Sequence, residues 1–233
     1  FTFPAVFQHL LVSGPILRVE SRGIVRIHSN KPPKEEIVNA ALQVVREKGT
    51  AALTTRQIAA VLGVSTRPIF TYFQNMQQVQ EAVRQAAQAL YHSYIKKGLE
   101  QVHPFIGLGE QYIRFATQEP ELYRLLFLPL APGSENKAME EMERTQNLVL
   151  EFLQQIYQLD EAAAKRFFRD VWLVAHSLAA LIVTNCCPYS PEEIRQILTS
   201  VSLSVCKACK EIPEFVTNHL DRDTLFRSII EKE

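Results

Sequence analysis

Apolar residues recur at helical spacing along almost the whole chain after Pro33. Between Lys34 and Lys48 they fall at i, i+3, i+4, i+7 and i+8, the stripe of an amphipathic helix. Gly49 follows, where a helix C-terminus favours glycine. The same reasoning predicts further helices over residues 54–61, 65–73, 75–98, 105–118, 121–128, 134–159, 161–187 and 192–211. Only residues 17–27 alternate like a short β-hairpin, so the pattern predicts an all-α fold.

The second and third predicted helices form a helix-turn-helix. Gly63 ends the former and Ser65 is placed to cap the latter, which leaves a tight turn between them. We expect the inward-facing residues to be apolar: Leu53, Ile58, Ala59, Leu62, Val64, Ile69, Phe70 and Phe73. The outward positions hold Thr66, Arg67, Thr71 and Tyr72. A helix with one packed face and one hydrogen-bonding face suits DNA recognition, although a solvated helical hairpin shows the same pattern.

Charge is distributed unevenly along the chain. The 25 basic and 25 acidic residues cancel overall, yet residues 1–80 carry a net charge of +5 and residues 81–233 carry −5. A basic front suits contact with a polyanion. We therefore predict an N-terminal extension over 1–30, a DNA-binding domain over 31–80, and a helical ligand-binding and dimerisation domain over 81–233. The extension is either loosely packed chain or a basic arm, with Arg18, Arg22 and Arg26, that reaches toward DNA.

The helix-turn-helix segment resembles the TetR family of transcriptional regulators. The matching residues begin with Ile37, Ala40-Ala41, Val45, Glu47 and Gly49, and continue through Leu53-Thr54-Thr55-Arg56, Ile58-Ala59 and Leu62-Gly63-Val64-Ser65 to Ile69-Phe70, Tyr72-Phe73 and Asn75. The resemblance implies an all-helical homodimer that binds DNA through three N-terminal helices and a small molecule through the remaining helices.

The resemblance also implies which residues contact DNA. They are Thr55, Arg56, Ser65, Thr66, Arg67, Thr71 and Tyr72, to which we add Lys34 as a neighbouring cation. Arg67 is the best candidate for reading guanine, because its guanidinium fork matches the O6 and N7 acceptors. Two positions depart from the family: Phe70 stands where a phosphate-binding Tyr is common, and Met76 where a Lys is common. We expect these departures to weaken DNA binding unless other cations compensate.

The body of the chain contains two strongly apolar helices. The helix predicted over Glu161–Cys187 is apolar nearly all round, so it must be buried on more than one side. With the helix predicted over Glu192–Glu211, it is our candidate for a two-fold dimer interface. Trp172, His176 and Ser177 resemble a Trp-x-x-x-His-Gly pattern in the C-terminal domains of one TetR subgroup, with Ser177 replacing Gly.

A ligand pocket is predicted among the aromatic residues of the body. Its candidate residues are Tyr112, Phe115, Tyr123, Phe127, Phe168, Trp172 and His176. The same residues also fit a plain apolar core, and His176 also fits a hydrogen-bonded core histidine. A pocket of this composition favours an apolar or aromatic inducer.

Other classes of protein fit the sequence poorly. No Gly-rich phosphate loop, His-Glu-x-x-His motif or nucleophile elbow is present, so we expect neither an enzyme nor a cofactor. The run from Val171 to Thr184 is too short to cross a bilayer. Cys206 lies well into the last predicted helix, about 20 Å from the turn that follows Cys187, so we expect reduced thiols rather than a metal site.

These observations predict a cytoplasmic, ligand-responsive transcriptional regulator. We expect a homodimeric repressor that binds a palindromic operator in double-stranded DNA and is released by a small inducer. The alternative is a ligand-binding helical dimer that lacks sequence-specific DNA binding.

Overall fold

The computed structural model describes residues 32–128, 137–212, 215–216 and 221–230. The predicted hairpin and basic arm lie outside these residues. Helices make up the described architecture: α1 (Lys34–Lys48), α2 (Thr55–Leu62), α3 (Ile69–Tyr72), α4 (Met76–Leu99), α5 (Pro104–Gln118), α6 (Pro120–Phe127), α7 (Ala138–Tyr157), α8 (Glu161–Val183), α9 (Pro191–Glu211) and α10 (Arg222–Ile230). The all-α prediction is confirmed. No helix in the described ranges combines the length and apolarity needed to cross a membrane.

Side-chain caps explain where several helices begin. The Thr54, Asn75 and Asp160 side chains accept hydrogen bonds from backbone N–H groups three residues later, which starts α2, α4 and α8. At α9, Ser190 and Glu193 form a reciprocal capping box that our sequence analysis missed. Helix α8 ends at Val183, four residues before the predicted end, because Asn185 adopts a left-handed φ of 57° that stops the helix.

Helix α3 is only one turn long, so the prediction that Ser65 caps it was wrong. Pro68 precedes the helix without a side-chain cap, and the backbone N–H of Ile69 bonds to the Thr66 carbonyl in a tight i→i+3 turn. Ile69 and Phe73 lie four residues apart and are buried, whereas Phe70 is 51% exposed. The predicted inward orientation of Phe70 was therefore wrong, because the next helical position is rotated about 100° away from the core face.

Helix α4 joins the three N-terminal helices to the body. It packs against α1 near its start and along α5 near its end. Gly98 and Gly107 let the α4 and α5 backbones touch: a Cβ at Gly98 would lie 2.7 Å from the Gly107 carbonyl oxygen. This contact holds one side of α4 against α5. Tyr91 and Ile95, seven and three residues before Gly98, are buried on the same side, whereas Leu90 and Tyr94 are half-buried.

Helix α8 is the central element of the body. It packs on α5, α6, α7 and α9, which buries its aromatic residues Phe167, Phe168 and Trp172. Leu173, on the side away from these neighbours, is 45% exposed. The body is therefore a layered helical bundle in which, among the described residues, one side of α8 is left exposed at Leu173.

Candidate DNA-binding surface and ligand cavity

The predicted DNA-binding residues lie at three places in the N-terminal helical unit. Thr55 and Arg56 begin α2, Ser65 to Arg67 form the turn between α2 and α3, and Thr71 and Tyr72 belong to α3. Arg56, Ser65, Arg67, Thr71 and Tyr72 are exposed, whereas Thr55 and Thr66 are half-buried. The turn and α3 together present hydroxyl, guanidinium and phenol groups, which can bond to base edges and phosphates.

Two basic residues of α1 have different surroundings. The Lys34 ammonium lies 5.4 Å from the centre of the Phe73 ring, beside the end of α3. The Arg46 guanidinium donates two hydrogen bonds of 2.7 Å to the Glu119 carboxylate at the start of α6. Lys34 thus supplies positive charge close to the recognition helix, whereas Arg46 ties α1 to the body.

A small cavity lies inside the body. Its volume is about 40 Å³, which is room for only a few water molecules. Of the seven predicted ligand-binding residues, Tyr112, Phe168 and Trp172 line it. Side chains that the sequence analysis did not select complete its wall, among them Tyr91 and Ile95 from α4, Thr145 from α7 and Ser202 from α9. The cavity is therefore bounded by helices from across the body and by the helix that leads to the DNA-binding unit.

The other predicted ligand residues surround the cavity in an aromatic network. The Tyr123 hydroxyl lies 2.8 Å from His176 Nδ1, and the Tyr112 hydroxyl lies 3.1 Å from the same atom. The His176 ring stacks on Trp172 with 4.7 Å between ring centres, and the Phe127 and Phe115 rings pack on Tyr91. Burial lowers the pKa of His176, so its imidazole is neutral at neutral pH and shares its Nδ1 atom in hydrogen bonding with these hydroxyl groups.

Burial also fixes the protonation of the tyrosines. It raises the pKa of Tyr91, Tyr112 and Tyr123 above the ordinary value, so all three phenols keep their protons. The aromatic rings and the neutral hydroxyl groups of this network therefore form an uncharged environment.

Three of the seven predicted ligand-binding residues line the cavity. The other four pack behind the residues that line it.

A buried carboxylate connects α7 to α4. Glu141 is fully buried and accepts hydrogen bonds from Gln88 Nε2 at 2.8 Å and, on its other oxygen, from His92 Nε2 at 2.9 Å. Arg144 approaches the same carboxylate at 3.5 Å. Burial would raise the pKa of Glu141, but the bonds from His92 and Gln88 outweigh it and hold the pKa below 4.5. The group is therefore charged at neutral pH.

Helix α6 contacts both the cavity network and the N-terminal unit. Tyr123 and Phe127 face the network, while Glu119 immediately before the helix binds Arg46 of α1. Arg124 bonds to Glu121 and to the Val183 carbonyl at the end of α8. Helices α4 and α6 thus provide two physical connections between the cavity and the DNA-binding unit.

The fold and the site together define a helix-turn-helix DNA-binding protein with a helical ligand-binding body. Family models support this class over more than half of the chain. The model for bacterial regulatory proteins of the tetR family matches residues 37–83, and the model for the tetracyclin repressor-like C-terminal domain matches residues 105–201. The chain belongs to the TetR family of transcriptional regulators, as its sequence predicted. It is accordingly a non-enzymatic DNA-binding regulator with a ligand-binding C-terminal domain.

Solved structures share this fold at low sequence identity. A protein of unknown function from Rhodococcus sp. RHA1 is 19% identical, with a TM-score of 0.60 over 75% of this chain and 94% of that chain. A TetR family member from Streptomyces coelicolor A3 is 22% identical, with a TM-score of 0.53 over 72% and 98%. A TetR variant from Acinetobacter baumannii AYE, solved with minocycline, is 16% identical, with a TM-score of 0.51 over 76% and 96%. A comparison with curated protein sequences finds no match.

Proposed function

We propose that this regulator is a homodimeric repressor that leaves a palindromic operator when an apolar or aromatic molecule enters the body. One observation carries the mechanism: α4 lines the cavity with Tyr91 and Ile95, and its first turns bury Val79 and Val83 beside the DNA-binding unit. A small-molecule site usually measures about 300–1,000 Å³, so an inducer must enlarge the present cavity. Enlargement moves α4, and the DNA-binding unit moves with it.

This movement changes the fit to DNA. Two recognition helices of a dimer enter successive major grooves about 34–36 Å apart. A ligand favours the conformation in which its cavity is open, and the operator favours the one in which the spacing matches. Binding of the ligand therefore weakens binding of the operator, and the ligand acts as an inducer that releases the protein from DNA. The Arg46–Glu119 pair supports the same coupling, since it joins α1 to the aromatic network through α6.

The test of DNA recognition is Arg67→Ala. The variant is expected to bind DNA from upstream of its own gene about tenfold or more weakly, because each bidentate base contact contributes about 1–3 kcal/mol of discrimination. Fluorescence anisotropy across a range of salt concentrations measures this. The control is Arg114→Ala, which removes an exposed cation from α5 in the body and should leave affinity unchanged. Weak, unselective binding that ignores Arg67 would instead favour a ligand-binding dimer without sequence-specific DNA binding.

The proposed dimer interface is the outer side of α8 and α9. Residues 171–191 and 196–206 contain no Asp, Glu, Lys or Arg. Leu173 on α8 and Leu203 on α9 are nevertheless exposed, at 45% and 65%. Exposed helix faces normally carry charge, and depletion of charge is typical of the centre of a protein interface. We infer that a second copy covers this surface about a two-fold axis.

The double variant Leu173→Glu, Leu203→Glu is expected to be monomeric. It would bury four carboxylates in the interface of a symmetric dimer, at a cost that association cannot offset. Analytical ultracentrifugation measures the mass, and operator affinity should fall with it. Leu148→Glu is the matched control, since Leu148 is 54% exposed on α7. If the double variant keeps the mass of the unmodified dimer, the interface lies elsewhere.

A further inference from the structure

Trp172, one of the residues that line the cavity, has a hydrogen-bond donor that nothing in the described structure satisfies. Trp172 lines the cavity and is 5% exposed, and its indole Nε1–H has no hydrogen-bond partner among the described residues. Indole nitrogen can only donate. A buried donor without an acceptor costs free energy, and such a group in a binding cavity favours a ligand that supplies the acceptor.

The protons of the other polar side chains in the wall are already committed. Ser202 donates to the Leu198 carbonyl at 2.6 Å, and Thr145 donates to the Glu141 carbonyl at 2.9 Å. Because Thr145 has one hydroxyl proton, the Tyr91 hydroxyl must donate to Thr145 Oγ1, 3.2 Å away. These three groups retain lone pairs but have no proton to offer a ligand.

Tyr112 also has partners for its proton. Its hydroxyl lies 3.1 Å from His176 Nδ1 and 3.3 Å from the Tyr123 hydroxyl. Among the side chains lining the cavity, as far as the structure describes them, the indole of Trp172 is thus the one donor left for a ligand. Because the indole nitrogen is itself buried, a ligand reaches it once the cavity opens, as the proposed function requires. The ligand can then place an acceptor there, and can donate only to the lone pairs of the hydroxyl groups.

The charge of the wall restricts the ligand further. The lining residues are aliphatic, aromatic, hydroxyl-bearing or glycine, and none carries a charge. The nearest buried charge in the network, Glu141, is already bonded to Gln88 and His92. A charged ligand would lose its hydration without gaining an opposite charge, which is strongly unfavourable.

We infer that the ligand is an uncharged, aromatic or otherwise largely apolar molecule whose carbonyl, ether or ring-nitrogen acceptor bonds to the Trp172 indole N–H. This inference rests on the proposed function, because it takes the cavity to be the place where the inducer binds. The inference specifies the charge of the ligand and its polar contact, neither of which follows from the aromatic composition of the cavity alone.

Trp172 is the single tryptophan of the chain, so its indole gives one signal in a ¹⁵N–¹H spectrum. Acetophenone is a suitable probe, being neutral and aromatic with one carbonyl acceptor. α-Methylstyrene has the same shape with a CH₂ group in place of the oxygen, and benzoate has a similar shape with a negative charge. We expect acetophenone to move the indole proton downfield, as hydrogen bonding does. α-Methylstyrene should bind without a downfield shift, and benzoate should leave the signal unmoved at equal concentration.

The variant Trp172→Phe tests the same contact by affinity. Relative to α-methylstyrene, acetophenone should lose about three- to tenfold in affinity in the variant, as expected for one hydrogen bond between neutral groups. Circular dichroism checks that the variant folds. If the variant does not fold, the spectra of the unmodified protein with the three probes still test the contact. Absence of an indole shift with acetophenone at its solubility limit, or an equal shift with benzoate, overturns the proposal.

DNA binding in the presence of the probes separates this inference from the proposed function. An indole shift with unchanged operator affinity supports the ligand contact and contradicts release by the ligand. Release from DNA by acetophenone without any change of the indole signal supports release by the ligand and contradicts the contact with Trp172.

Discussion

Replacing Gly98 by alanine is expected to destabilise the protein by about 3 kcal/mol, the upper range for overpacking a closely packed contact. A Cβ there would lie 2.7 Å from the Gly107 carbonyl oxygen and 2.8 Å from its carbonyl carbon. Backbone atoms cannot rotate away as a side chain can, so α4 and α5 must separate. Urea unfolding followed by circular dichroism measures the loss.

Gly109→Ala is the matched control in α5. A Cβ at that position meets only the Leu198 Cδ1 atom, at 3.5 Å, an ordinary contact. Because glycine within a helix is less favourable than alanine by about 0.5–1 kcal/mol, this variant should be as stable as the unmodified protein or more stable. Equal loss of stability in both variants would contradict this prediction. It would show that the α4–α5 contact accommodates a methyl group as well as the position of Gly109 does.

Glu141→Gln is expected to destabilise the protein by about 2–3 kcal/mol at pH 7, in the range for a buried charge that loses hydrogen-bonded partners. The amide keeps the size of the carboxylate, but it accepts on one side only and places an NH₂ against a donor. Either the Gln88 amide or the His92 imidazole then loses its acceptor. Urea unfolding at pH 7 measures the difference.

The same variant should lose its effect in acid. The pKa of Glu141 in the folded protein lies below its ordinary value of 4.5, because His92 and Gln88 stabilise the charged form more than burial disfavours it. The carboxylate therefore stabilises the fold above the pKa of the unfolded state, and this contribution is lost as pH falls through the lower folded pKa. Glu140→Gln, a neighbour whose side chain is 57% exposed, should match the unmodified protein at both pH values. A pH-independent Glu141→Gln effect would contradict this assignment.

Local sequence signals predicted much of the fold. Caps and breakers act within one turn of the chain, so the helices predicted to begin at residues 54, 75 and 161 begin within one residue of those positions in the structure, each after a capping side chain. The rotation of a helix depends on its neighbours instead. At the Gly98–Gly107 contact one side of α4 lies against α5, and Tyr91 is buried on that side, which the apolar pattern of α4 alone could not predict.

The residues that line the cavity were harder to predict than the exposed polar positions of the helix-turn-helix. The predicted DNA-binding residues other than Lys34 lie within one segment, from Thr55 to Tyr72, so a pattern of polar positions selects them together. Thr145 and Ser202 belong to different helices, and on each helix about half of the other positions are polar. Their only signal is position: Thr145 lies four residues from the buried Glu141, and Ser202 lies four from the buried Leu198. Their meeting across the bundle is a tertiary effect.

The single turn of α3 limits how much sequence information one subunit can read. Four residues at about 1.5 Å each span about 6 Å, less than two base-pair steps of about 3.4 Å. Even with the residues of the preceding turn, the DNA-binding unit of one subunit contacts on the order of three or four base pairs, about as many as one zinc-finger helix. A genome offers on the order of 10⁶ or more competing sites. Two half-sites of three or four base pairs each are too short to single out one operator among so many. For the proposed dimer, operator choice would therefore draw on the spacing between half-sites and on the deformability of the DNA between them, where no side chain touches a base.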